Sequence, residues 1–176
     1  MHTEITKVLF TAEQIAARVA ELGAQITREY RGKPLTVAGV LCGGSVFCTD
    51  LIRKIDMPVT LMFIRASSYG DGTVSQGSVK IDFLGADFAG KHVLVAEDII
   101  DTGYTMAAVK KELLARGALS VKLCCILDKP SRRKIETSAD YIGFTIPDEF
   151  VVGYVLDYAD MYRNLPYVGV VEIKEG

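Results

Sequence analysis

The sequence predicts an α/β fold built on a mainly parallel sheet flanked by helices. Two observations carry this. Short, strongly apolar runs at Leu35 to Leu41, His92 to Glu97 and Ser120 to Leu127 have the composition of strands buried on both faces. Helical patterns and glycine-containing turns separate them, and strands that alternate with helices form βαβ units.

The elements follow in order. Thr11 to Tyr30 is the clearest helix: Thr11 and Gln14 have capping-box spacing, and Ile15, Val19, Leu22 and Ile26 keep one apolar face for the core. After the strand at Leu35 to Leu41, Gly43-Gly44-Ser45 turns into a helix expected to reach about Ile55. Val59 to Arg65 is a second strand, Ser67 to Gln76 a polar glycine-rich segment, and Val79 to Phe83 a weakly alternating strand. His92 to Glu97 precedes a helix from Thr105 to Arg116, which Gly117 closes. Ser120 to Leu127 and strands near Val151 to Val155 and Val168 to Ile173 complete the chain, and antiparallel pieces should form edges or a small cap. No repeat or linker divides the sequence, so residues 1–176 are expected to form a single domain.

Composition excludes several functions. A net charge of −2 gives no electrostatic footprint for nucleic acid or an anionic membrane. No stretch reads as a signal peptide, and no apolar run approaches the roughly 20 residues of a membrane helix. Cys42, Cys48, Cys124 and Cys125 have neither zinc-site nor disulfide-framework spacing, which fits a reducing cytoplasm.

The most informative stretch runs from Val93 to Met106. A buried strand ends in Glu97 and Asp98, a third carboxylate follows at Asp101, and Thr102-Gly103-Tyr104-Thr105 opens a helix. Ligands of open α/β sheets bind at the carboxyl ends of strands, where helix N-termini present free N–H groups to anions. A phosphate on residues 101–105 would be repelled by three carboxylates unless something intervenes. Sugar hydroxyls and a divalent cation resolve that conflict, and carboxylates with waters and substrate oxygens suit Mg²⁺. The local chemistry therefore points to a phosphorylated ribose with a metal.

This segment, with its Glu-Asp-Ile-Ile-Asp-Thr-Gly core, resembles the ribose-phosphate signature of the type I phosphoribosyltransferases, in particular the hypoxanthine/guanine branch. The resemblance extends from about Leu35 to Val171. It implies a five-stranded Rossmann-like core with a hood built from the N- and C-terminal segments. It also implies Mg²⁺-dependent transfer of a 5-phosphoribosyl group from phosphoribosyl pyrophosphate to hypoxanthine, guanine or xanthine in purine salvage, by a cytoplasmic dimer or tetramer.

The resemblance assigns roles residue by residue. Glu97 and Asp98 hold the ribose hydroxyls and the metal, and Asp101 is the general base at purine N7. Thr102, Gly103, Tyr104 and Thr105 cradle the 5′-phosphate, Tyr104 through its N–H. Cys42, Gly43 and Gly44 stand in the pyrophosphate loop, where the family carries a non-proline cis peptide. Cys42 replaces the family's usual basic residue, which should weaken pyrophosphate or inter-subunit contacts. Ser68 and Tyr69 belong to a mobile lid. Lys129, in Asp128-Lys129-Pro130, donates to purine O6; an ammonium has donors and no acceptor, which favours a 6-oxopurine over adenine. Phe150 stacks on the purine and Val151 meets its edge through the backbone. Asp157 helps order a second Mg²⁺ and meets the purine with its backbone, and Arg163 contacts pyrophosphate. Neighbouring Arg132, Arg133 and Lys134 read as a solvated basic turn.

Overall fold

A computed structural model describes residues 2–68 and 79–174. The elements are β1 (His2–Phe10), α1 (Ala12–Tyr30), β2 (Leu35–Leu41), α2 (Ser45–Ile52), β3 (Val59–Ser68), β4 (Val79–Asp82), β5 (His92–Ile100), α3 (Tyr104–Ala115), β6 (Ser120–Asp128), β7 (Tyr141–Thr145), β8 (Val151–Val152) and β9 (Val168–Lys174).

The main sheet has six strands in the order β4-β3-β2-β5-β6-β7. Five run parallel, and β4 adds antiparallel to β3 at one edge. Both faces of the central strands are buried. Val37 of β2 and Leu94 and Ala96 of β5 point into the core shared with α1 and α2. Their alternates Ala38, Val40, Val93 and Val95 point into the core shared with α3. Period-two side chains that are apolar on both faces produce the unbroken apolar runs of the sequence.

A second, antiparallel sheet in the order β1-β9-β8 forms the hood, as the resemblance implies. It brings the N-terminal strand beside the C-terminal one, with His2 opposite Lys174 and Phe10 opposite Val168. The Phe10 ring stacks on Phe144 of β7 with centroids 4.0 Å apart, which ties hood to main sheet.

Several boundaries differ from expectation. The second helix stops at Ile52 rather than near Ile55, because Lys54 and Ile55 donate to carbonyls three residues back and wind its end into turns. The strand expected at Val151 to Val155 is only two residues long, since positive φ angles at Tyr154 and Val155 turn the chain away. Strands β1 and β7 were not anticipated. No helix among the described residues is long and apolar enough to cross a membrane.

Candidate active site

Strands β2 and β5 are neighbours, so the loops at their carboxyl ends meet. Between them lies a cavity of about 600 Å³. Cys42 and Gly43 line one side, Glu97, Asp98, Asp101, Thr102, Gly103 and Thr105 another, and Asp157 and Arg163 close it from the hood side.

The β5–α3 turn is shaped for an anion. Gly103 takes the left-handed conformation, with φ +91°, and serves as N-cap of α3. Only glycine enters that region without penalty. No side chain caps this helix end, so its first N–H groups remain available to a phosphate. Helix α2 likewise begins at Gly44 without a side-chain cap, which aims a second helix N-terminus at the loop of residues 42–44. The Leu41–Cys42 peptide is cis, as the resemblance implies. Cys42 is exposed, whereas Cys48, Cys124 and Cys125 are buried.

Loop and carboxylates are in close contact. A Cβ placed on Gly43 would lie 1.9 Å from Asp98 Oδ2, so any other residue here would force the carboxylate to shift. Asp98 Oδ1 accepts a hydrogen bond from the Ile99 N–H at 2.7 Å, and a Glu97 oxygen accepts from the Asp98 N–H at 3.0 Å. Burial pushes the Glu97 carboxyl well above the usual carboxylate range, and the adjacent Asp98 charge adds to that push. Burial also raises Asp98, against the opposing effects of its hydrogen bonds and the charge of Arg163. A buried acid beside a half-buried one makes a place where a cation or sugar hydroxyls are welcome.

Among the described residues no cluster of three His, Cys, Asp or Glu side chains converges to cage a metal. The Glu97 and Asp98 carboxylates that line the cavity are hard oxygen donors of the kind Mg²⁺ takes one or two of, filling its octahedron with water and substrate phosphate oxygens. Asp157 has both oxygens engaged: Oδ1 pairs with Arg163 at 2.7 Å, and Oδ2 accepts from the Asp160 N–H at 3.0 Å. Arg163 also donates to the Val155 carbonyl at 2.8 Å, so its guanidinium is held beside the cavity.

Lys129, Phe150 and Val151 do not line this cavity. Lys129 is buried, and its Nζ donates to the Glu149 carbonyl at 2.8 Å, immediately before Phe150 and Val151. Phe150 is 48% exposed, and its ring makes a T-shaped contact with Tyr158 at 5.6 Å between centroids. Val151 lies in β8, the edge strand of the hood sheet. Ser68 ends β3, but its side chain, together with all of Tyr69, falls outside the described residues.

The basic turn requires correction: it is not merely solvated. The Arg133 side chain is only 15% exposed, pairs with Asp128 and donates to the Asp101 carbonyl at 2.6 Å. Lys134 N–H donates to the Thr102 carbonyl at 2.9 Å, and Arg132 Nε lies 3.0 Å from Asp101 Oδ1. A short 3-10 turn over Pro130–Arg132 folds this segment back against the phosphate turn. The signal for it was Asp128. An acid at the inner end of a buried strand needs a cation, and Arg133 is the cation that reaches it.

The fold and this strand–turn–helix define a class. Residues 6–159 match the phosphoribosyl transferase domain. The chain belongs to the phosphoribosyltransferase family, in its hypoxanthine-guanine branch. It is 46% identical over 173 residues to the hypoxanthine-guanine phosphoribosyltransferase of Staphylococcus aureus, covering 98% of this chain and 97% of that protein. A crystal structure of a hypoxanthine phosphoribosyltransferase from Staphylococcus aureus superposes with a TM-score of 0.91 at 46% identity, over 96% of this chain and 92% of that one. The bifunctional protein TilS/HprT of Listeria monocytogenes is 49% identical over 173 residues, but the chain spans only 27% of its length.

Proposed function

We propose that this chain transfers the 5-phosphoribosyl group of phosphoribosyl pyrophosphate to a 6-oxopurine (hypoxanthine, guanine or xanthine), releasing pyrophosphate in purine salvage, and that residues 1–176 act as one domain. The observation that carries the reading is the meeting of an uncapped helix N-terminus, three carboxylates and the glycine loop around one cavity, with Lys129 and Phe150 alongside.

The N–H groups of residues 103–105 and the hydroxyls of Thr102 and Thr105 bind the 5′-phosphate and fix the sugar. Glu97 and Asp98 orient the ribose hydroxyls and would hold Mg²⁺, with Asp157 assisting from the hood. A metal held there would supply charge neutralisation for the pyrophosphate leaving group. Gly43, Gly44 and the backbone of Cys42 approach the pyrophosphate closely, and Arg163 supplies positive charge. As the bond to pyrophosphate breaks, the ribose gains cationic character at its anomeric carbon. The Asp98 and Asp101 carboxylates favour that charge electrostatically. Asp101 takes the proton from purine N7 while the base attacks through N9. Lys129 donates to O6, and Phe150 stacks on the ring.

Asp101→Asn tests the base assignment. General acid–base groups contribute roughly a hundred- to ten-thousandfold, so kcat should fall on that scale while the unfolding midpoint is retained. Unchanged kcat would remove Asp101 from the proton transfer.

A further inference from the structure

Arg132 stands where the purine must work. Its Nε lies 3.0 Å from Asp101 Oδ1, the carboxylate assigned to N7. That contact has the distance of an ion pair but not the alignment of a hydrogen bond. Asp101 Oδ1 is inaccessible to solvent and accepts no hydrogen bond from the described residues. A purine N7–H donor would supply the aligned bond that the guanidinium does not.

The same guanidinium has a second carboxylate within reach. Arg132 Nη1 is 3.5 Å from Asp148 Oδ1, and Lys129 Nζ is 3.8 Å from that same oxygen. Asp148 is 54% exposed and precedes Glu149, whose carbonyl holds Lys129. Arg132 thus already donates to Asp148 while its Nε rests on Asp101, and losing Asp101 to the purine would leave it that carboxylate partner.

We propose that Arg132 is a positioning residue that competes with the purine for Asp101 and is retained by Asp148 alone as the base enters. The inference rests on the reading of Asp101 as the N7 base and adds to it a determinant of purine capture. Arg132 acts through Asp101. It orients the carboxylate and shields its charge, and it must yield before the proton transfer.

The test is a cycle of Arg132→Gln and Asp148→Asn, measured as kcat/KM for hypoxanthine and for phosphoribosyl pyrophosphate, with unfolding midpoints recorded for each variant. Exposed ion pairs are weak, so Arg132→Gln should raise kcat/KM for the purine about two- to fivefold, with kcat/KM for phosphoribosyl pyrophosphate unchanged. Asp148→Asn should lower the purine value by a similar factor in the unmodified protein and by clearly less in the Arg132→Gln background, where only its contact with Lys129 is lost. A merely structural role would move midpoints and both substrates together. In the unmodified protein, added salt should lift the purine kcat/KM toward the Arg132→Gln value, because screening weakens the competing pair. A fall in purine kcat/KM in Arg132→Gln, or an equal effect of Asp148→Asn in both backgrounds, would overturn the proposal while leaving the transferase reading intact. Absence of transfer by the unmodified protein would overturn that reading and the proposal with it.

Discussion

At Gly43 a missing side chain is what lets the site exist. Its backbone passes Asp98 so closely that a Cβ would lie 1.9 Å from Oδ2, and the carboxylate would have to move. Gly43→Ala should therefore retain the fold but lose kcat/KM on the order of a hundredfold, the scale on which an ångström of misplacement costs activity. A pyrophosphate-release assay alongside thermal unfolding checks this, and an active Gly43→Ala protein would show that Asp98 does not need its observed position. Residue roles were legible unevenly. Glu97 through Thr105 are contiguous in sequence, and the chemistry of carboxylates beside a phosphate turn follows from their order. Arg132 and Arg133 were misread because basic residues are mostly solvated; Asp101, which Arg132 meets, follows a different strand, whereas Asp128, the partner of Arg133, ends the strand that leads into the turn.

Elements with local signals were readable, and those defined by distant pairing were not. Helix α1 has its start written in Thr11 and Gln14, and the structure contains both halves of the capping box. Thr11→Ala should lower stability by about 1 kcal/mol without changing kcat, measured by urea unfolding; no loss would mean that packing alone sets this helix start. Strand β7, by contrast, carries Gly143 in its middle, a residue that weakens a strand pattern. The glycine is there because a Cβ would lie 2.4 Å from the Ile126 carbonyl of β6. Strand β1 is rich in polar residues and owes its extension to β9, more than 150 residues later in the chain. No window of sequence contains that partner.

Across the molecule, helix α1 is tied to the β6–β7 edge of the sheet by a small polar network. Glu29 of α1 accepts from Lys122 of β6 at 2.8 Å and from the Tyr141 hydroxyl of β7 at 2.6 Å. The hydrogen bond from Lys122, then that from Tyr141, holds the Glu29 carboxyl at about 2. A depressed carboxylate pKa stabilises the fold above the unfolded value, and that contribution is lost as pH falls. The stability difference between the protein and Glu29→Gln should thus be present at pH 7 and vanish between pH 4.5 and about 2. Glu29 and Lys122 are each 38% exposed, so the difference should be at most about 1 kcal/mol. A difference independent of pH in chemical unfolding would mean that the Glu29 charge contributes nothing.

At the same scale, the hood brings Phe150, Val151, Asp157 and Arg163 over the strand ends of the main sheet, so the proposed reaction needs both sheets. Pyrophosphate release with phosphoribosyl pyrophosphate and Mg²⁺, offering hypoxanthine, guanine, xanthine, adenine and uracil in turn, tests that claim most directly. The account predicts turnover with one or more 6-oxopurines, none with adenine or uracil, and loss of activity on chelation. Turnover confined to adenine or uracil, or none with any base, would contradict it.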